Sequence, residues 1–171
     1  MKKITFFAAI AMIAFTTNAV AQSSATGTAA TDAKVIAPIT ISKTVDMNFG
    51  NLVSTVAGGA IVLPTTGART GDGTILAGPD GSPTAASFTV GGEADYTYGI
   101  TLPAGPFDVK NSDTEPATMA VGTFVSSPDA TGTLTSSTET LLVGATITLL
   151  ANQAPGVYTN DADLAVTVMY N

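Results

Sequence analysis

After its first 21 residues the chain has no stretch of about ten residues whose apolar positions recur at helical spacing, and this limits the fold more than any other feature. Apolar residues instead alternate with small polar ones over short runs. Leu164, Val166, Val168 and Tyr170 alternate with Ala165, Thr167, Met169 and Asn171, the period of a strand with one buried face. Val35, Ala37, Ile39 and Ile41 alternate in the same way. Pro38 lies among them, and because proline lacks the ladder N–H it places this strand at a sheet edge or a bulge. Further strands are expected over residues 60–63, 74–77, 87–90, 96–102, 119–125 and 141–150, and a short one around Phe107 and Val109. The apolar run 141–150 reads as a strand buried on both faces. Residues 64–84 and 126–138 are rich in turn formers. Short strands with turns between them imply an all-β fold, an immunoglobulin-like β-sandwich with Greek-key connections. The last strand needs its apolar face covered either by its own chain or by a donor strand from another molecule.

Residues 1–21 have the form of an export signal. Lys2 and Lys3 precede an apolar run over 4–15, and Ala19-Val20-Ala21 supplies a small-x-small cleavage site before Gln22. The run is shorter than the roughly 20 apolar residues a bilayer requires. No second run of that length follows, so no membrane-spanning segment is expected. Residues 22–33 are small and polar, either a flexible N-terminal arm or part of a donor strand. Residues 34–171 read as a single sandwich domain.

Removal of the leader leaves four basic residues against thirteen acidic ones, a net charge of −9. Lys34, Lys43, Arg69 and Lys110 are scattered along the chain, so no cationic patch is expected for nucleic acid or for anionic lipid. The absence of cysteine leaves core burial, oligomerisation or a bound ion to stabilise an exported domain. The absence of histidine removes Ser-His-Asp and Cys-His catalysis and the usual zinc, copper and non-haem iron sites.

Three carboxylate pairs remain: Glu93 with Asp95, Asp113 with Glu115, and Asp161 with Asp163. A spacing of two does not specify an active site, so no catalytic residue is assigned and the chain reads as non-enzymatic. Asn160-Asp161-Ala162-Asp163, or Asp72 with Asp80, offer oxygen ligands suited to calcium but lack the EF-hand spacing. Asx turns account for the same residues, so neither a metal nor a cofactor is assigned. Tyr96 and Tyr98 fall on one face of a strand, where ordinary sheet packing is favoured over a carbohydrate platform.

Three segments taken together carry a family resemblance. They are residues 35–41 running on to Asn48-Phe49-Gly50, residues 142–147, and Pro155-Gly156-Val157-Tyr158 with the strand that follows. With these the chain resembles bacterial exported proteins of the domain of unknown function 4402 type, a family that looks related to the spore coat protein U domain and to archaic chaperone–usher pilins. Phe49-Gly50, Gly156-x-Tyr158 and Tyr170 match positions typical of those pilins, whereas the cysteine usual near their first strand has no counterpart here. The resemblance implies an incomplete sandwich in which the N-terminal segment of one subunit completes the next by strand addition, producing filaments. It makes Val35, Ala37, Ile39 and Ile41 the candidate donor positions and Leu164, Val166, Val168 and Tyr170 the candidate acceptor edge. The implied partners are other copies of the chain, a periplasmic chaperone and an outer-membrane usher. The implied location is the surface of a bacterium with an outer membrane. The alternative is a closed monomeric secreted or surface sandwich, an adhesion or carbohydrate-binding module, stabilised by calcium if loop carboxylates hold it.

Overall fold

The computed structural model describes residues 23–71, 81–161 and 164–171. The leader, Gln22, the expected strand at 74–77 and the candidate ligands Asp72, Asp80 and Asp163 lie outside the described residues. Contacts divide the chain into Met1–Lys34 and Val35–Asn171. In the first unit, residues 23–34 are exposed and have no regular secondary structure. The second unit forms the sandwich.

Its strands are β1 (Thr40–Val45), β2 (Gly59–Leu63), β3 (Thr70–Gly71), β4 (Ala86–Gly91), β5 (Thr97–Thr101), β6 (Phe107–Lys110), β7 (Thr118–Ser127), β8 (Thr131–Thr133), β9 (Thr138–Leu149) and β10 (Thr167–Tyr170). All pairings are antiparallel. Seven strands make one sheet, and β10, β5 and β8 make the other in that order. The described residues contain no helix. From β4 onward the chain crosses repeatedly between the two sheets, the Greek-key pattern of an immunoglobulin-like sandwich.

The twelve-residue β9 is the spine of the larger sheet. One of its edges pairs with β7. The other pairs with β4 over its first half and with β2 over its second. Gly144 sits where one partner gives way to the other. A Cβ there would lie 2.3 Å from the Leu63 carbonyl oxygen and 3.0 Å from the Thr65 nitrogen, both backbone atoms, so only glycine fits. The expectation that this strand is buried on both faces is corrected. Leu141, Val143, Ala145, Ile147 and Leu149 point inward, while Thr140 and Thr148 on the other face are exposed.

The inward residues form two clusters. Under β4 and the first half of β9, Phe88, Val90, Leu141 and Val143 pack against Tyr98 of β5 and Leu134, the residue after β8. Under β2, β7 and the second half of β9 lie Ile61, Met119, Val121, Ile147 and Leu149. Met47, Phe49, Leu52 and Tyr158 pack on this second cluster from irregular segments. Each fully buried aliphatic contributes about 1.5–3 kcal/mol. The Tyr158 hydroxyl donates to the Ala154 carbonyl at 2.7 Å and accepts from Gln153 Nε2 at 2.9 Å. These bonds tie the Tyr158 ring to the chain four and five residues upstream, while a Cβ at Gly156 would stand 3.2 Å from Asn111 Cβ.

Candidate strand-accepting edge

One long side of the sandwich lies between β1, an edge of the larger sheet, and β10, an edge of the smaller. Among the described residues β1 pairs only with β4 and β10 only with β5. The Asn171 N–H donates to the Thr97 carbonyl at 3.2 Å. In an antiparallel ladder main-chain groups alternate in direction, so Met169 and Thr167 also face β5. The main-chain groups of Val168 and Tyr170 therefore point out of the sheet, toward the open side.

The floor of this side is apolar. Leu164, Val166, Val168 and Tyr170 from the β10 segment and Ile39 and Ile41 from the β1 segment are all half-buried, resting on the cluster that contains Phe88, Val90 and Tyr98. The four acceptor candidates are thus brought together on one surface. The donor candidates separate into two pairs. Ile39 and Ile41 pack into the core of their own chain. Val35 is 94% exposed, and Ala37 is exposed but held through its main chain.

Ala37 is held by a clasp. The Tyr170 hydroxyl donates to the Ala37 carbonyl at 2.8 Å and accepts from the Glu93 N–H at 2.7 Å. The Ala37 N–H donates to Glu93 Oε2 at 3.2 Å. Gly92 makes room for this arrangement, because a Cβ there would stand 2.2 Å from the Tyr170 hydroxyl oxygen. The Tyr170 ring also meets Tyr96 edge-on, with centroids 5.7 Å apart. Sequence reasoning missed the roles of Glu93 and Gly92. The only signal was a Gly-Gly turn followed directly by a carboxylate.

The remaining candidates have ordinary local roles. Tyr98 is wholly buried, and its hydroxyl donates to Glu139 Oε2 at 2.8 Å, so its ring belongs to the core and not to a carbohydrate platform. Burial, reinforced by that hydrogen bond and by the charge of Glu139, pushes the Tyr98 phenol well above its usual range. Asp113 accepts from the buried amide of Asn111 within a turn. Among the described residues no three acidic side chains converge as a metal site would require. An open depression of about 350 Å³ beside Phe107, Asp108, Lys110 and Asn160 lies on the far edge strand β6, away from the apolar floor.

The two antiparallel sheets define an immunoglobulin-like β-sandwich in which, among the described residues, one edge of β10 is unpaired above an apolar floor. The chain belongs to the family described as domain of unknown function (DUF4402), whose model matches residues 39–170. No curated protein and no solved structure matches it.

Proposed function

We propose that this chain is an exported, non-enzymatic structural protein that assembles into surface filaments by β-strand addition between copies. The observation that carries the reading is the β10 edge, unpaired among the described residues, above the half-buried row Leu164, Val166, Val168 and Tyr170. An added strand would bond to the outward main-chain groups of Val168 and Tyr170 and cover those side chains. The donor is the N-terminal arm of the next copy. Its odd positions from Ala25 to Val35 are Ala, Gly, Ala, Thr, Ala and Val, whereas Asp32 and Lys34 fall on the even face. That alternation gives an uncharged inner face and a charged outer one. Ile39 and Ile41 already serve their own core, so donation reaches Val35 and stops at the clasped Ala37. An open apolar edge requires cover in transit, which is the role of a periplasmic chaperone before an outer-membrane usher in a bacterium with two membranes.

A second reading, a closed monomeric surface protein, is favoured by the packing of Ile39 and Ile41 within their own chain. One experiment separates the two. A chain lacking residues 1–36 keeps both isoleucines, so it should fold. It should take up a synthetic peptide of residues 23–36 with a rise in melting temperature, since a ligand at a hundred times its Kd stabilises by about 2.7 kcal/mol. The chain that retains the arm should form filaments visible by negative stain. A monomer that takes up no peptide, even after unfolding and refolding with the peptide present, refutes strand addition.

A further inference from the structure

The outer face of the larger sheet is a surface the strand-addition reading does not use. Register fixes which side chains lie on it: Thr89 pairs with Thr140, Val62 with Thr146, and Val125 with Gly144. Throughout β1, β2, β4, β7 and β9 the positions on this face carry only Thr, Ser, Ala, Gly, Val and Leu. Val45, Val62 and Val125 on it are 42%, 43% and 45% exposed. Charge first appears on this face at the edge strand β6, with Asp108 and Lys110. Glu139 of β9 points inward to Tyr98, and Lys43 of β1 has Phe88 as its register partner.

The rest of the molecule is strongly acidic, with a net charge of −7 for the whole chain. Among the described residues the carboxylates lie in loops, at strand ends, on β6 or inside the sandwich. Interface centres are where charge is depleted relative to the rest of a protein's surface. The like net charge of two copies opposes their association least where the surfaces that meet carry no charge of their own. The area is sufficient. Twelve residues of β9 span about 40 Å, and four adjacent strand positions span about 19 Å. Each copy therefore offers roughly 700 Å², close to the 800 Å² or so per partner of a stable interface.

We propose that this face is a self-association surface on which a second copy of the chain packs sheet against sheet. Aligned sheets pack about 10 Å apart, and the Thr and Val side chains would interdigitate across that gap. The proposal does not depend on strand addition. If subunits form filaments, the neutral face joins filaments side by side; if they do not, it makes pairs.

The test uses the intact purified protein and three variants: Thr140→Lys and Thr140→Glu within the face, beside Thr89 of β4, and Thr101→Lys on the exposed face of β5 as control. Thr140 is exposed, so both charges are compatible with folding, which circular dichroism verifies. Sedimentation velocity over a broad concentration series should show self-association of the parent and of Thr101→Lys. Both Thr140 variants should weaken it by at least roughly tenfold, because a buried unpaired charge of either sign opposes the contact. If general charge repulsion governed association, Thr140→Lys would strengthen it by lowering the net negative charge. Equal association of the parent and Thr140→Lys, or its strengthening, overturns the proposal, as does a parent that sediments as a monomer throughout. Loss of strand addition leaves face-to-face pairs, whereas loss of this face leaves single filaments, so the two failures are distinguishable by microscopy.

Discussion

Tyr170 and Gly92 should be energetically coupled, and a double-mutant cycle reads that coupling directly. Tyr170→Phe removes one hydroxyl that makes two hydrogen bonds, donating to Ala37 and accepting from Glu93. At about 0.5–1.5 kcal/mol each, the loss is about 1–3 kcal/mol. In a domain of this size that lowers the melting temperature by about 2–4 °C per kcal/mol. Gly92→Ala places a methyl 2.2 Å from the same oxygen and 3.1 Å from Tyr170 Cζ, so the ring must shift and both hydrogen bonds are lost. Overpacking of this kind costs about 1–3 kcal/mol, to which the lost bonds add. In the Tyr170→Phe background the clashing oxygen is absent. The nearest remaining atom is then Leu134 Cδ1 at 2.9 Å, the end of a side chain that can rotate. Gly92→Ala should therefore be less damaging in that background by about 1 kcal/mol or more, a coupling typical of residues in contact. Urea unfolding of the four proteins, followed by circular dichroism, gives the four free energies. Additivity within about 0.5 kcal/mol would show that the two residues do not share the hydroxyl, and would refute the clasp.

Gly144→Ala should lower the melting temperature by several degrees, because overpacking against backbone costs about 1–3 kcal/mol, whereas Gly105→Ala, with nothing within 4 Å of the new methyl, should leave it unchanged. Tyr98→Phe should cost about 1.5–3 kcal/mol through the lost bond to a carboxylate, measurable by the same denaturant series. The raised pKa of Tyr98 makes its phenol more stable in the neutral form when folded. Its stabilising contribution is thus complete below the usual tyrosine value of about 10 and is lost as the pH climbs through the folded value. Alkaline absorbance titration should show one tyrosine ionising only as the fold is lost, and Tyr98→Phe should abolish that phase.

The fold was legible where one face of a strand is buried and the other is not. Phe88 and Val90 flank Thr89, and Val168 and Tyr170 flank Met169, so both strands declare their inner faces in sequence. β8 escaped because Thr131–Thr133 contains no large apolar residue, and its strand character comes from pairing with β5. β9 was misjudged because Leu142 and Gly144 extend the apolar run on the outer face. Gly144 is small for a steric reason, the junction of β2 and β4, which periodicity does not register. The apolar floor of the open side was legible by the same alternation. The clasp was not, since Glu93, Ala37 and Tyr170 are joined across 56, 77 and 133 residues by groups whose sequence neighbours look like ordinary turn residues.

The two edges that border the open side are not equivalent, and the difference favours β10 as the acceptor. β1 carries the features by which proteins discourage edge pairing. Pro38 precedes it, Lys43 lies within it joined to Asp46, and its register shifts between Lys43 and Val45. A strand approaching that edge meets a charge and a local bend. β10 carries none of these: residues 164–171 contain no charged residue and no proline, and the ladder from Thr167 to Tyr170 runs without a register shift. An unprotected edge invites pairing unless something covers it. The same chain therefore guards one edge and leaves its neighbour open, and the guarded strand follows directly from the arm proposed as donor. Under the proposed strand addition, protection of β1 would keep a subunit from pairing through the strand it needs for its own core, while the β10 edge, unpaired among the described residues, would receive the arm of the next copy.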